Sequence, residues 1–179
     1  MSRYRIDRFS VSVVTVAAVL AFSAIGAARA ASPDCTKIDA TSAAKVLGVP
    51  KTRVNSSGRH NKLPPDNMDV LGCGYAEVSL DPMARTLTYF IYTPIAKDLE
   101  SVFSSLSNEN VRGAVQKFSA GVGTGSSGWV RPNPNGETVD GSILVRGGGY
   151  IAVAKVSGMP SIAAAQKALI SAGQILVKP

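Results

Sequence analysis

"GSILVRGGGYIAVAKVS", residues 141–157, decides the architecture. Two runs rich in Ile, Leu, Val and Ala flank Gly147-Gly148-Gly149. Glycine takes positive φ at a tight reversal without steric cost, so the pattern predicts two antiparallel strands joined as a hairpin. After it, "SIAAAQKALISAGQIL" reads as a helix with Ser161 as N-cap. Its buried stripe is Ile162, Ala165, Leu169, Ala172 and Leu176.

Before the hairpin, "NPNGETVD" reads as a turn and "GWVRP" as a brief strand. Further back, Thr93 and Pro94 sit at the cap and first-turn positions of an amphipathic helix. Ile95, Leu99, Val102, Phe103 and Leu106 form its core stripe. "GCGYAEVSL" alternates, with Ala76, Val78 and Leu80 on one face, and "RTLTYFIYT" is β-branched and aromatic. Asp81-Pro82 turns between them, which predicts a second hairpin. "RVNSSGRHNKLPPDNMD" is polar and turn-rich, a weak strand entering a long loop. "KIDATSAAKVLGVP" is a short helix capped by Asp39 and stopped by Gly48, with Pro50 beyond. The order is helix, strands, helix, strands, helix. That predicts an α+β fold, a mainly antiparallel β-sheet packed with about three α-helices in an α/β/α-type sandwich.

The chain's start reads as an address. "MSRYRIDRFS" is basic, the following run to Ala28 is nearly free of charge, and Ala28-Arg29-Ala30 is a small-x-small cleavage pattern. Residues 1–30 are therefore expected to be a signal peptide cleaved after Ala30. Residues 31–179 are expected to form a single exported domain with no stable membrane anchor. The expected location is periplasmic or extracellular. The leader takes Arg3, Arg5, Arg8, Arg29 and Asp7 with it, so 19 basic and 12 acidic residues become 15 and 11. The remaining excess is scattered, without a block of like charge, and gives nucleic-acid binding little support. In an oxidising compartment the two cysteines, Cys35 and Cys73, are most simply a disulfide.

"GVGTGSSGW", residues 121–129, contains the G-x-G-x-x-G spacing of a dinucleotide loop. That chemistry needs a helix start for the pyrophosphate, and Pro132 and Pro134 forbid a helix there. The stretch reads as a structural turn, and no cofactor is expected. His60 is the single histidine, set between Arg59 and Lys62, and lacks neighbouring ligands for a metal site. Met68, Met83 and Met159 are too scattered for a copper-handling set; that option would require Met68 or Met159 beside His60. No G-x-S-x-G elbow is present, so any serine hydrolase triad would have to use His60.

"DCTKIDATSAAKVLGVP", "GCGYAEV", "FSAGVGTGSSGW", "GSILVRGGGYIAVAKVS" and "AAAQKALISAGQIL" together resemble small exported bacterial domains of unknown function. These are similar to actinobacterial cell-wall lipoproteins and extracellular sensor-like domains. The resemblance implies a PsbP-like fold and leaves the activity open. Two departures are visible: no lipobox Cys, and no acidic residue at 124–127 in the glycine turn.

The functional expectation is a non-enzymatic module that binds an envelope protein, an envelope component or a small ligand. Its candidate recognition surface is Trp129 and Arg131 with Arg59 and His60, on polar loops held by a rigid scaffold. The alternative is a small envelope-acting hydrolase using His60 with a Ser and a carboxylate.

Overall fold

A computed structural model of the chain describes residues 35–63, 68–81, 83–94, 99–109 and 116–178. The expected leader lies outside the described residues. Asp39 opens helix α1 (Ala40–Leu47): its Oδ1 accepts the Ser42 N–H at 2.6 Å, and Gly48 closes the helix at φ 65°. Arg85 completes that end, its Nη1 donating to the carbonyls of Leu47 and Gly48, both at 3.0 Å.

An antiparallel meander follows: β1 (Thr52–Leu63), β2 (Met68–Glu77) and β3 (Thr86–Pro94). After α2 (Leu99–Glu109) a second meander runs through β4 (Gln116–Phe118), β5 (Ser126–Pro132), β6 (Val139–Arg146) and β7 (Ile151–Met159). Strand β7 lies beside β3 and joins the two meanders into one seven-stranded antiparallel sheet, ordered β1-β2-β3-β7-β6-β5-β4. Helix α3 (Ile162–Leu176) closes the chain, with Ser161 Oγ accepting the Ala164 N–H at 3.1 Å. The fold is α+β, as expected.

Three local expectations are corrected. The weak strand expected after Arg53 is there, and it continues where the long loop was expected: β1 runs 12 residues along the sheet edge. An edge strand needs only one partner's backbone groups, so its exposed Asn55, Ser56 and Ser57 do not break it. Val78 and Leu80 do not extend β2 and are 53% and 105% exposed. The chain has already turned there, with Glu77 Oε2 accepting the Arg85 N–H and Asp81 Oδ1 that of Met83. Thr93 and Pro94 end β3, in register with Asp69 and Met68, so they do not cap α2 (Leu99–Glu109). A proline at a strand terminus removes no interior ladder bond. Ile95 lies outside the described residues.

Strand alternation then separates two cores. Tyr75, Leu87, Tyr89, Val130, Ile143 and Val145 are among the residues buried with α1 and α3. Leu144, Ile151 and Val153 face the other way and pack with Met68, Val70 and Val102 of α2. Helix α3 approaches closely because Ala165, Ala168, Ala172 and Gly173 lie on its buried side. A Cβ on Gly141 would stand 2.8 Å from Leu169 Cδ1, so glycine is what admits the helix there.

Cys35 and Cys73 form the expected disulfide, with Cα atoms 5.9 Å apart. Beside it, the buried Tyr75 hydroxyl donates to the carbonyls of Ile38 and Cys35. Together they fasten the segment before α1 to the middle of β2.

Candidate functional site

The glycine stretch is structural. Gly121 and Gly123 take positive φ, 59° and 65°, and β5, not a helix, follows. The Thr124 N–H donates to the Arg146 carbonyl, and the Arg146 N–H to that of Gly125, at 3.3 and 2.9 Å. A Cβ on Gly123 would stand 2.3 Å from the Arg146 carbonyl oxygen. This glycine serves a backbone approach to β6.

Trp129 and Arg131 lie two residues apart on β5, so both project from the sheet face opposite Val130, which is buried on the α1–α3 side. The Arg131 guanidinium carbon is 6.0 Å from the Trp129 ring centroid, within cation–π range. Trp129 is partly exposed, while its Nε1 is buried without a hydrogen-bond partner. What remains accessible is therefore hydrocarbon ring. Arg131 is exposed; Asp140, opposite it in register, has its Oδ1 beside the Gly158 N–H and Asn133 Nδ2.

Register adds residues that sequence reasoning missed. Lys117 on β4 pairs with Trp129, Trp129 with Ser142, and Ser142 with Lys155 on β7. These positions form one row across the sheet. Lys155 Nζ lies 5.7 Å from the Phe90 ring centroid, and Phe90 lies 6.4 Å from Tyr92. The face carries aromatic rings with Arg131, Lys155 and Lys117 around them. Nothing local marks this set; only strand order brings it together.

The other two proposed residues sit elsewhere. Arg59 and His60 are on edge strand β1, five strand spacings from β5, a separation of ~24 Å at the usual spacing. The strand order thus sets Arg59 and His60 apart from the β5 pair. Arg59 is exposed and pairs with Leu71. The His60 side chain lies outside the described residues. Glu77 and Asp81 place carboxylate oxygens against backbone amides in the β2–β3 connection. Met68 and Met159 are buried in different cores on opposite sheet faces, so they do not make one thioether site. Among the described residues no group of three or more His, Cys, Asp or Glu could hold a metal ion. No helix among them is long and apolar enough to cross a membrane.

Arg146, in the same "VRGGG" run as the hairpin turn, holds α2 to the sheet. Its Nη2 meets Glu100 Oε2 at 2.6 Å and its guanidinium carbon lies 4.7 Å from the Phe103 ring centroid. No family model matches the chain, and no curated protein or solved structure matches it.

Proposed function

We propose that the chain is an exported bacterial module that binds rather than catalyses, built on a PsbP-like sandwich and released by cleavage after Ala30. Its ligand is an envelope component recognised on the sheet face of Trp129 and Arg131. The observation that carries this reading is that pair: a partly exposed indole ring with an exposed guanidinium at 6.0 Å. Lys117 and Lys155 in the same strand row add positive charge. An apolar ring beside cations suits a flat ligand that also carries negative charge, such as an acidic sugar unit. Such a ring contributes contact area at low entropic cost, because it has only two side-chain torsions.

Trp129 is the single tryptophan beside five tyrosines, so fluorescence excited selectively at tryptophan reports on this surface alone. Titrating the purified native chain with an acidic oligosaccharide released from envelope material should give a saturable change in emission. Arg131→Ala should weaken it about tenfold, the loss of one ~1.4 kcal/mol charged contact. An emission that stays constant, or equal affinity in the variant, would remove the pair from recognition.

A further inference from the structure

A second, separate feature lies on the opposite side of the sheet, where α1 and α3 pack together. Between them is a groove of about 200 Å³ lined by, among others, Lys45, Arg85, Lys167 and Ser171. The three cations come from three elements distant in sequence: α1, the residue before β3, and α3. No carboxylate lines the groove. Arg85 is fixed in place, since its Nη1 donates to the carbonyls of Leu47 and Gly48. Its remaining guanidinium nitrogens are not engaged by those bonds. Asp39 is the acid that senses Lys45, and its Oδ1 is already bonded to the Ser42 N–H. A neighbouring groove of about 310 Å³ on the other flank of α1 shares Lys45 and adds Lys51.

The groove gathers cationic side chains from three separate elements and has no acid in its lining. A lining of that sign complements a bound anion. An arginine with a fixed plane supplies directed N–H donors to tetrahedral oxyanions, and lysines add mobile point charges. We infer that the Lys45–Arg85–Lys167 groove binds a phosphate group. The observation is independent of Trp129: the groove adjoins the core that packs α1 and α3, whereas Trp129 lies on the other sheet face.

The test is calorimetric titration of the native chain with sodium pyrophosphate at low ionic strength, against sodium chloride matched in ionic strength. Flotation with phosphatidylglycerol and with phosphatidylcholine vesicles forms the second arm. Lys45 and Lys167 are exposed, so K45Q/K167Q should fold, which thermal melting checks. R85K is the second variant, retaining charge while losing the planar fork. Saturable pyrophosphate binding that falls about tenfold or more in K45Q/K167Q supports the inference for a soluble phosphate ligand. Retention on phosphatidylglycerol vesicles alone, lost in that variant, supports it for a lipid headgroup. Heats equal to those of sodium chloride together with no flotation, or equal binding in the variant, overturn it. W129A should bind pyrophosphate like the wild type, which separates this outcome from the fate of the sheet-face reading.

Discussion

Tyr75 and Tyr89 stand on neighbouring strands with ring centroids 6.4 Å apart, and only one of them finds a partner for its hydroxyl. Tyr75 donates to the Ile38 and Cys35 carbonyls. Tyr89 lies near both Tyr75 and the Ile38 carbonyl, yet its hydroxyl makes no bond of acceptable geometry. The two should respond oppositely to loss of oxygen. Tyr75→Phe strands two carbonyls and should cost about 1–3 kcal/mol, whereas Tyr89→Phe removes an unpaired group and should be neutral or stabilising. Denaturant unfolding of both variants measures the difference. Burial raises the phenol pKa of Tyr75, Tyr89 and Tyr150 above the ordinary 10.0. The unfolded chain therefore releases these protons first. The contribution of these phenols is full below about pH 10 and falls as pH rises beyond it, and Tyr89→Phe should flatten that alkaline slope. Asp39 works in the other sense. Hydrogen bonds from Ser42 hold its carboxyl below the ordinary 3.8. Its contribution is present above about pH 4 and disappears as pH falls through the lowered pKa. Asp39→Ala should cost about 1 kcal/mol at pH 7, while Asp39→Asn keeps a cap and loses only the acid dependence. Melting curves at pH 7 and pH 3 distinguish the two.

At the scale of elements, the tightest fit is between α3 and the sheet. Gly141→Ala would drive a Cβ to 2.8 Å from both Leu169 Cδ1 and the Trp129 carbonyl oxygen. Overpacking of that kind should cost about 1–3 kcal/mol, read as a lower unfolding midpoint with an unchanged slope. Phe118 covers Gly128 from the neighbouring strand in a related way: a Cβ there would meet its ring at 2.4 Å. The elements legible in the sequence are those whose signals are local. Asp39 and Gly48 bracket α1, Ser161 starts α3, and glycines turn between β6 and β7. Strand β1 was legible only as a weak strand, and its length was missed because its stability comes from the free backbone edge of β2, which nothing in "RVNSSGRHNK" encodes. Val78 and Leu80 show the converse error, an apolar alternation that continues after the strand has ended. The candidate site was half legible. Trp129 and Arg131 stood out as residue types, but Lys117 and Lys155 join them only through strand register, and Lys45, Arg85 and Lys167 only through tertiary packing.

The molecule as a whole consists of two meanders that meet where β7 lies beside β3, with helices on both faces. Residues 35–39 pair in no strand. This segment and α1 are attached by α1 packing on α3, β1 and β2, by the Tyr75, Arg85 and Thr52 side-chain bonds, by the Lys37 Nζ bond to the Lys178 carbonyl at 2.6 Å, and by the Cys35–Cys73 disulfide. The disulfide closes a loop with a sequence separation of 38, which constrains the unfolded chain by about 4 kcal/mol on the entropic account. Such a bond persists in an oxidising compartment, and that supports the proposed export. Reduction should therefore act on the whole fold rather than on the sheet face. Calorimetry of the reduced protein, or of Cys35→Ser/Cys73→Ser, should show a melting temperature lower by about 10 °C for a domain of this size. Amide exchange should accelerate most in α1 and the segment before it, because the seven-stranded sheet keeps its ladder without the sulfur bond. If reduction instead leaves both the melting temperature and α1 exchange unchanged, α1 is secured by its packing and hydrogen bonds without the sulfur bond.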